Sequence, residues 1–425
     1  MSAPVQTQSE AGGVGEAPSS RTPESGDVRA REWQEGWAVP VDRIDAFTLG
    51  AAISVEPDRI EAELAGLWRK AAERARSEGA RFSVTRACLW NLIVHSDGDE
   101  EFLRTKRLID EVSETVPARI ISLHETSESA DSLGYETPDG GPPIRAFVEA
   151  NFRRSGNGRR EVVAEEITLE APRMAGQRLP GLVRSLLLAD VPTALLVRNP
   201  TADSAWLPRL APEVERFIFD SARLPHAEAL VQVESLLRSL YRQDSNRSLA
   251  HVDIVDLGWL RLWPWRVLVA SLFDSPDAAK ALREVSEIVL HHAPDGEPAA
   301  LLLSGWLCGR LRLRWQATHD RRVFTLSSTA GHHVRLRVEQ ASVQDAPAGI
   351  ERVELRCGGH MFAARLQGDT RCIALSSHLQ PERVQPVHGR PDPELMVAAM
   401  GVGGRDPLMY EALRHSAQLV RGGGL

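Results

Sequence analysis

Between Glu56 and Leu123 the apolar residues switch from helical to strand spacing and then repeat the switch, and few architectures accept that order. Ile60, Leu64, Leu67, Trp68, Ala71 and Ala75 recur at helical spacing behind a Glu-Pro-Asp start, which predicts an amphipathic helix ending near Gly79. Val84 to His95 is a β-branched and aromatic run, the pattern of a buried strand. Asp99 to Val112 has the acidic start and apolar spacing of a helix, and Ala118 to Leu123 reads as a second strand. Helices alternating with strands bury their apolar faces by packing on a common sheet, so the chain opens as an α/β layer fold.

Ile144 to Arg154 and Glu161 to Leu169 are strand candidates joined through Ser-Gly-Asn-Gly, a hairpin signal. A helix over Leu179 to Leu188, short strands at Ala194 to Val197 and Arg216 to Phe219, and a helix over His226 to Leu240 follow. The expected sheet is mixed, a parallel core carrying an antiparallel hairpin at one edge, with flanking helices. Asp253 to Phe273 looks helical apart from Pro264, which predicts a break with a second helix starting near Trp263 to Trp265. Beyond it lie a strand over Glu287 to His291 and a helix over Ala299 to Trp315. Five segments between Arg322 and Ser376 then alternate like strands of an antiparallel sheet, and a closing helix from Glu394 to Leu419 is interrupted by Gly401, Gly403 and Gly404. The economical division is an N-terminal tail over 1–42, an α/β domain over 43–250 and an α+β domain over 251–425. The tail is rich in Gly, Ser, Pro and Glu and is expected to be disordered, although Trp33 and Trp37 are spaced to dock as one helical turn.

The remaining features exclude more than they assign. With 50 basic against 58 acidic residues, no overall positive field draws the chain to nucleic acid or an anionic membrane. There is no leader-like N-terminus and no apolar run approaching the ~20 residues that span a bilayer, so the expected location is cytoplasmic. Cys88, Cys308, Cys357 and Cys372 are scattered in apolar contexts and read as buried thiols. No G-x-G-x-x-G, P-loop or G-x-S-x-G motif is present, so no cofactor and no catalytic residue is expected. His291-His292 and His332-His333 are adjacent residues beside strands, which point to opposite faces and cannot share a metal. Glu165-Glu166 reads as a solvated strand face, and Arg119 as a solvated strand start.

Several stretches in order resemble one family, the glucose-6-phosphate dehydrogenase assembly protein OpcA. They are CLWNLIVH at 88–95, PARIISL at 117–123, VRSLLLADVPTALLVRN at 183–199, DLGWLRLWPWRVLVASLFD at 256–274 and LLLSGWLCGRLRL at 301–313. The resemblance implies a non-catalytic protein that binds glucose-6-phosphate dehydrogenase, promotes its assembly and thereby supports NADPH supply. It points to Asp190 and Pro192 from L-L-x-x-D-x-P, and to Asp256, Trp259, Arg261, Trp265 and Arg266 from D-x-x-W-x-R-x-x-x-W-R, as partner-binding residues. Trp-Arg pairs are what binding hot spots favour, whereas core packing is the competing role for the tryptophans. The alternative function is a sugar-phosphate-binding sensor or enzyme whose arginines line a cleft between the two domains.

Overall fold

The structure, a computed structural model, describes residues 45–48, 53–77, 88–126, 144–154, 161–172, 178–198, 200, 206–242, 252–320, 322–341, 346–368, 371–387, 389–401, 403–404 and 406–422. The N-terminal tail with Trp33 and Trp37, and the Ser-Gly-Asn-Gly turn, lie outside these residues. The first sheet is built from β1 (Asp45–Thr48), β2 (Ile53–Val55), β3 (Trp90–Asp97), β4 (Ala118–Thr126), β5 (Arg145–Arg154), β6 (Glu161–Pro172), β7 (Thr193–Val197), β8 (Arg216–Phe219) and β9 (Asp253–Asp256). Its order is β1-β5-β6-β4-β3-β7-β8-β9, with β2 also on β5. Strands β6, β4, β3, β7, β8 and β9 run parallel, and β5 and β1 add an antiparallel edge. The expected mixed sheet is therefore present, with the hairpin at its edge. Strand β9 closes this sheet although it lies past residue 250, so the first sheet crosses the expected division.

Alternation along the strands sorts the helices. Ile93, Ile121 and Phe217 face α1 (Ile60–Ser77), α3 (Leu179–Leu186) and α5 (Glu228–Arg242), joined by a short α4 (Leu207–Leu210). Leu92, Val94, Ile120 and Ile218 face α2 (Asp99–Ser113) on the other side. Next in the chain come α6 (Leu257–Arg261), α7 (Trp263–Ser271), α8 (Pro276–Leu282), β10 (Val285–His292) and α9 (Glu297–Arg310). The break at Pro264 falls where proline chemistry places it, at the first turn of α7, while Asp253–Asp256 is strand rather than helix.

Glu165 and Glu166 correct the reading of a solvated face, because both are buried. Glu165 pairs with Arg119 at 2.9 Å on the α1 side, and Glu166 pairs with Lys106 of α2 on the other. Arg119 is likewise buried and also bonds Glu61 and the Leu186 carbonyl. Burying these carboxylates is tolerable only because each finds a cation and hydrogen bonds.

The second sheet has the order β11-β12-β13-β10-β14-β15-β16-β17. Its strands after β10 are β11 (Arg314–Asp320), β12 (Val323–Ser327), β13 (His333–Gln340), β14 (Ile350–Cys357), β15 (His360–Leu366), β16 (Cys372–Ser377) and β17 (Arg383–Pro386). All neighbours are antiparallel except β10 and β13. Helix α9 stops at Arg310, short of the expected Trp315. Arg312 adopts φ +53° and the Leu313 amide returns to the Cys308 carbonyl at 2.8 Å, a left-handed cap that turns the chain into β11. The closing helix is two helices, α10 (Asp392–Gly401) and α11 (Pro407–Gly422), and the interruption falls at the expected glycines.

Apolar packing runs without a break from the α5 side of the first sheet, through Trp259, Trp265 and α9, to the inward side of the second. Residues 44–425 accordingly form one contact unit. Helix α10 returns to the first sheet beside α2, where Leu395, Met396, Ala399 and Met400 join Leu92, Val94 and Ile218. Among the described residues no helix is long and apolar enough to cross a membrane.

Candidate functional site

In an open parallel sheet the crevice for ligands lies at the carboxyl ends of the strands, where the strand order reverses. Here the chain leaves β3 for β4 on one side and later places β7 on the other, so the reversal lies between β3 and β7. The turn after β3 is Asp97-Gly98-Asp99, with Gly98 at φ +86°, and it enters α2. The first turn of α2 carries Asp99, Glu100 and Glu101. Those carboxylates satisfy the helix dipole themselves and would repel a phosphate. His124 is held there by Asp99 at 3.0 Å and stacked on Phe102, and His95 lies against Trp206 and 3.5 Å from Glu125.

Arginines do converge at this end of the sheet. Arg198 follows β7, Arg223 follows β8, and Arg261 ends α6; all three meet Asp392, the first residue of α10, at 3.8, 3.0 and 2.9 Å. Arg261 also grips the buried carboxylate of Asp220 through two bonds of 3.0 and 3.2 Å, and Arg198 lies 3.4 Å from Glu101. Burial alone would raise the Asp392 carboxyl, but Arg261 and Arg223 outweigh it and hold the group below the ordinary range. Burial likewise opposes the charge on Arg261, and Asp220 and Asp392 more than restore it. Three guanidiniums thus face Asp220, Asp392 and Glu101, a set that is neutral within itself and fastens α10 to the first sheet.

The residues singled out in D-x-x-W-x-R-x-x-x-W-R build the elbow between α6 and α7. Asp256 caps α6, accepting from the amides of Gly258 and Ser221 at 2.9 Å each. Burial pushes its carboxyl up to about 6, outweighing the bonds from Ser221 and Gly258, and its Oδ2 is buried without a hydrogen bond. A side chain at Gly258 would collide with Ser221 and stand 2.8 Å from the Ala222 amide, so only glycine fits under the cap. Trp259 and Trp265 are buried, and the Trp259 indole N–H donates to Asp406 at 2.7 Å. The Arg266 guanidinium carbon stands over the Trp259 ring, 3.4 Å from its centre, and the group donates to the Trp259 carbonyl at 3.2 Å. Its own burial lowers the guanidinium to about 10.

These side chains therefore face inward, and what the elbow offers to a surface is Trp263 and Val267, four residues apart on α7 and 46% and 43% exposed. Their outward register was visible in the i, i+4 spacing but not distinguishable from the buried tryptophans beside them. Asp190 and Pro192 are exposed, at the other end of the sheet, where the chain enters β7. Asp190 adopts φ +60°, which Asp tolerates, and the loop is clamped by buried Asn91, whose side chain bonds Leu188 and Val191. The two motifs are not brought together. Arg198, Asp220, Arg223 and Asp392 are the residues that sequence reasoning missed, since Asp392 reaches the others only through the return of α10.

Among the described residues no group of His, Cys, Asp and Glu could hold a metal. His291 faces outward on β10 while His292 is buried and bonds the Ala293 carbonyl, the opposed geometry of neighbours on a strand.

Fold and site together define a two-sheet α/β protein whose strand-end crevice is closed by its own ion pairs. Residues 109–235 match the family described as "Glucose-6-phosphate dehydrogenase subunit N-terminal domain", and residues 252–413 match its C-terminal counterpart. The chain belongs to the OpcA family of glucose-6-phosphate dehydrogenase assembly proteins. It is 28% identical to OpcA of Nostoc punctiforme over 212 residues, covering 49% of this chain but 41% of that protein. Against OpcA of Synechococcus elongatus it is 24% identical over 375 residues, 81% of this chain and 77% of the relative. Against the Synechocystis sp. protein it is 27% identical over 48% of this chain and 39% of the relative. Levoglucosan dehydrogenase with NADH and L-sorbose aligns over 79% of this chain and 96% of its own at 9% identity and a TM-score of 0.37, too weak a likeness to carry an argument.

Proposed function

We propose that this chain is a non-catalytic accessory protein of the oxidative pentose phosphate cycle that binds glucose-6-phosphate dehydrogenase and promotes its assembly into the active oligomer. The observation that carries this reading is the paired match of residues 109–235 and 252–413 to the two domains of one dehydrogenase-subunit family. Relatives designated OxPP cycle proteins agree with it. The chemistry of the site supports it, because the crevice that would serve a nucleotide carries Asp99, Glu100 and Glu101. The sugar-phosphate alternative draws less support, because Arg198, Arg223 and Arg261 already face carboxylates.

On this reading the protein works in the cytoplasm and supports NADPH supply without turnover of its own. The matched segments meet between 235 and 252, which keeps the division near residue 250 as the proposed one, with β9 reaching back to the first sheet. The contact on α7 is assigned to Trp263 and Val267, with Asp256, Trp259, Arg261, Trp265 and Arg266 holding the elbow that presents them. Asp190 and Pro192 are exposed and remain a proposed secondary contact. The test is to assay the cognate dehydrogenase with increasing amounts of the purified protein while following its size in solution. Activity should rise to a plateau together with the assembled fraction, and the rise should shrink when the dehydrogenase is concentrated enough to assemble alone. No activation at any ratio overturns the function. A melting-temperature rise with glucose 6-phosphate alone would restore the ligand-binding alternative.

A further inference from the structure

The second sheet has one covered side and one open side. Val334, Leu336 and Val338 of β13, with Ile288 and Leu290 of β10, lie inward with α9, and Phe362 of β15 meets Phe273 just after α7. The alternate residues form the open side, and the register aligns them into rows. One row runs Thr325, Arg335, Glu287, Arg356, Met361; the next Val323, Arg337, Val289, Glu354, Ala363, Ser376; the third Glu339, His291, Arg352, Arg365, Ala374, Val384. Five arginines stand here against four glutamates, counting Glu351 at the β14 bulge beside His291, in a chain whose net charge is −8. The open side is locally of opposite sign to the rest of the protein.

The glutamates of the three rows are taken. Glu287 is shared by Arg337 at 3.3 Å and Arg356 at 3.4 Å, Glu339 pairs with Arg337 at 2.7 Å, and Glu354 with Arg352 at 3.0 Å. Arg335 and Arg365 are both exposed and have no carboxylate in reach among the described residues. Arg365 is moreover placed directly across from Arg352, a like-charged cross-strand pair in which Arg352 has Glu354 and Arg365 has no carboxylate. Around Arg365 the floor is low, with Ala363 on its own strand and Ala374 across from it, followed by Val384 on the edge strand. A carboxylate arriving from outside could approach both guanidiniums without displacing a bulky neighbour.

We propose that this open sheet face is a docking surface for an acidic face of a partner protein, whose carboxylates bridge Arg365 with Arg352 and pair with Arg335. The proposal rests on the reading above and names the dehydrogenase as that partner. The glutamates interleaved among the arginines are why the occupant is a protein with a mixed-charge surface: a continuous polyanion such as a lipid headgroup layer would meet Glu287, Glu339 and Glu354 as well. The face is also opposite to the side on which α7 packs, so the chain presents two separate surfaces. A protein that favours assembly must bind the assembled state better than its separate parts, and two contacts achieve that.

The test uses the full chain with Arg335→Glu and Arg365→Glu, singly and together, and Arg104→Glu as a reversal on exposed α2, remote from this sheet. Circular dichroism and melting establish that each is folded, and affinity for the dehydrogenase is titrated at low and high salt. The double reversal should weaken binding by ~100-fold or more and flatten the salt dependence, Arg365→Lys should bind within ~3-fold of the parent, and Arg104→Glu should leave affinity unchanged. Parent-like affinity in the folded double reversal overturns this surface while leaving the function standing. A parent that does not bind the dehydrogenase at any salt overturns both. Binding of the parent to phosphatidylserine vesicles in preference to the dehydrogenase, abolished by the double reversal, would reassign the face to anionic lipid and also overturn the proposal.

Discussion

Replacing Arg261 with alanine tests whether the ion pairs at the strand ends hold α10 in place. Asp220 is fully buried, and its carboxylate depends on two bonds from Arg261, one from the Ala222 amide at 3.2 Å and Arg223 at 3.9 Å. Without Arg261 the charge stays buried and nearly unpaired, a loss of ~3–5 kcal/mol. The contact to Asp392 adds less, about 1 kcal/mol at most, because that carboxylate is partly exposed and keeps Arg223 at 3.0 Å. A total of about 4 kcal/mol is a large part of the ~5–15 kcal/mol that stabilises a typical fold. Urea unfolding should show it, and amide exchange should rise first at the start of α10, which Arg261 fastens. Adding Asp220→Asn removes the stranded charge, so the double variant should recover ~2 kcal/mol relative to Arg261→Ala alone. The pH dependence has a definite sign. Asp392 is held below its ordinary range, so its pairing stabilises the fold above that range and is lost as pH falls through the folded value; Arg261→Ala should flatten this acid limb. A loss under about 1 kcal/mol, or a double variant no better than the single, would refute the reasoning.

Asp256 titrates in the opposite sense: its folded value near 6 lies above the ordinary one, so its contribution is full at low pH and lost as pH rises through about 6. Asp256→Asn keeps an acceptor for the cap and should remove that slope, giving a variant at pH 7.5 as stable as the parent or up to ~2 kcal/mol more; a clear loss there would count against a buried charge. Burial pushes Cys308 and Cys357 up to about 12, so a thiol reagent at pH 8 should modify Cys88 and Cys372 first and the other two only on unfolding; four fast thiols would contradict the packing. Gly305→Ala would drive a methyl group into Ala412 and Ser416 where α9 crosses α11 and should cost ~1–3 kcal/mol, whereas Gly181→Ala in open space on α3 should stabilise by ~0.5–1 kcal/mol, both read from urea midpoints. Trp265→Ala should lower the melting temperature through a cavity costing ~3–5 kcal/mol, while Trp263→Ala, which removes a half-exposed ring beside Arg266, should lower it far less and weaken dehydrogenase binding by ~2 kcal/mol; the reverse pattern would move the contact off α7.

Periodicity carried much of the architecture. The buried runs at Trp90–Asp97 and Ala118–Thr126 declared parallel strands because both faces of such strands are covered, and the hairpin residues placed β5 beside β6. The break at Pro264 and the interruption at Gly401 to Gly404 followed from local backbone chemistry. The edge strand β17 was missed because its four residues are all exposed and carry no apolar run, whereas the equally short β8 is buried and reads as a strand. Charged positions were illegible for a different reason. A glutamate in a strand reads as solvated until its partner is known, and Glu165 and Glu166 find theirs in Arg119 and Lys106, 46 and 60 residues away. Asp392 meets Arg261 from 131 positions further along the chain. Local sequence determined which segments become helix or strand, because period and caps act over a few residues. Tertiary structure alone decided which charges are buried, which tryptophan of the elbow reaches the surface, and which arginines are left without a carboxylate, because those outcomes depend on what the returning chain places opposite each side chain.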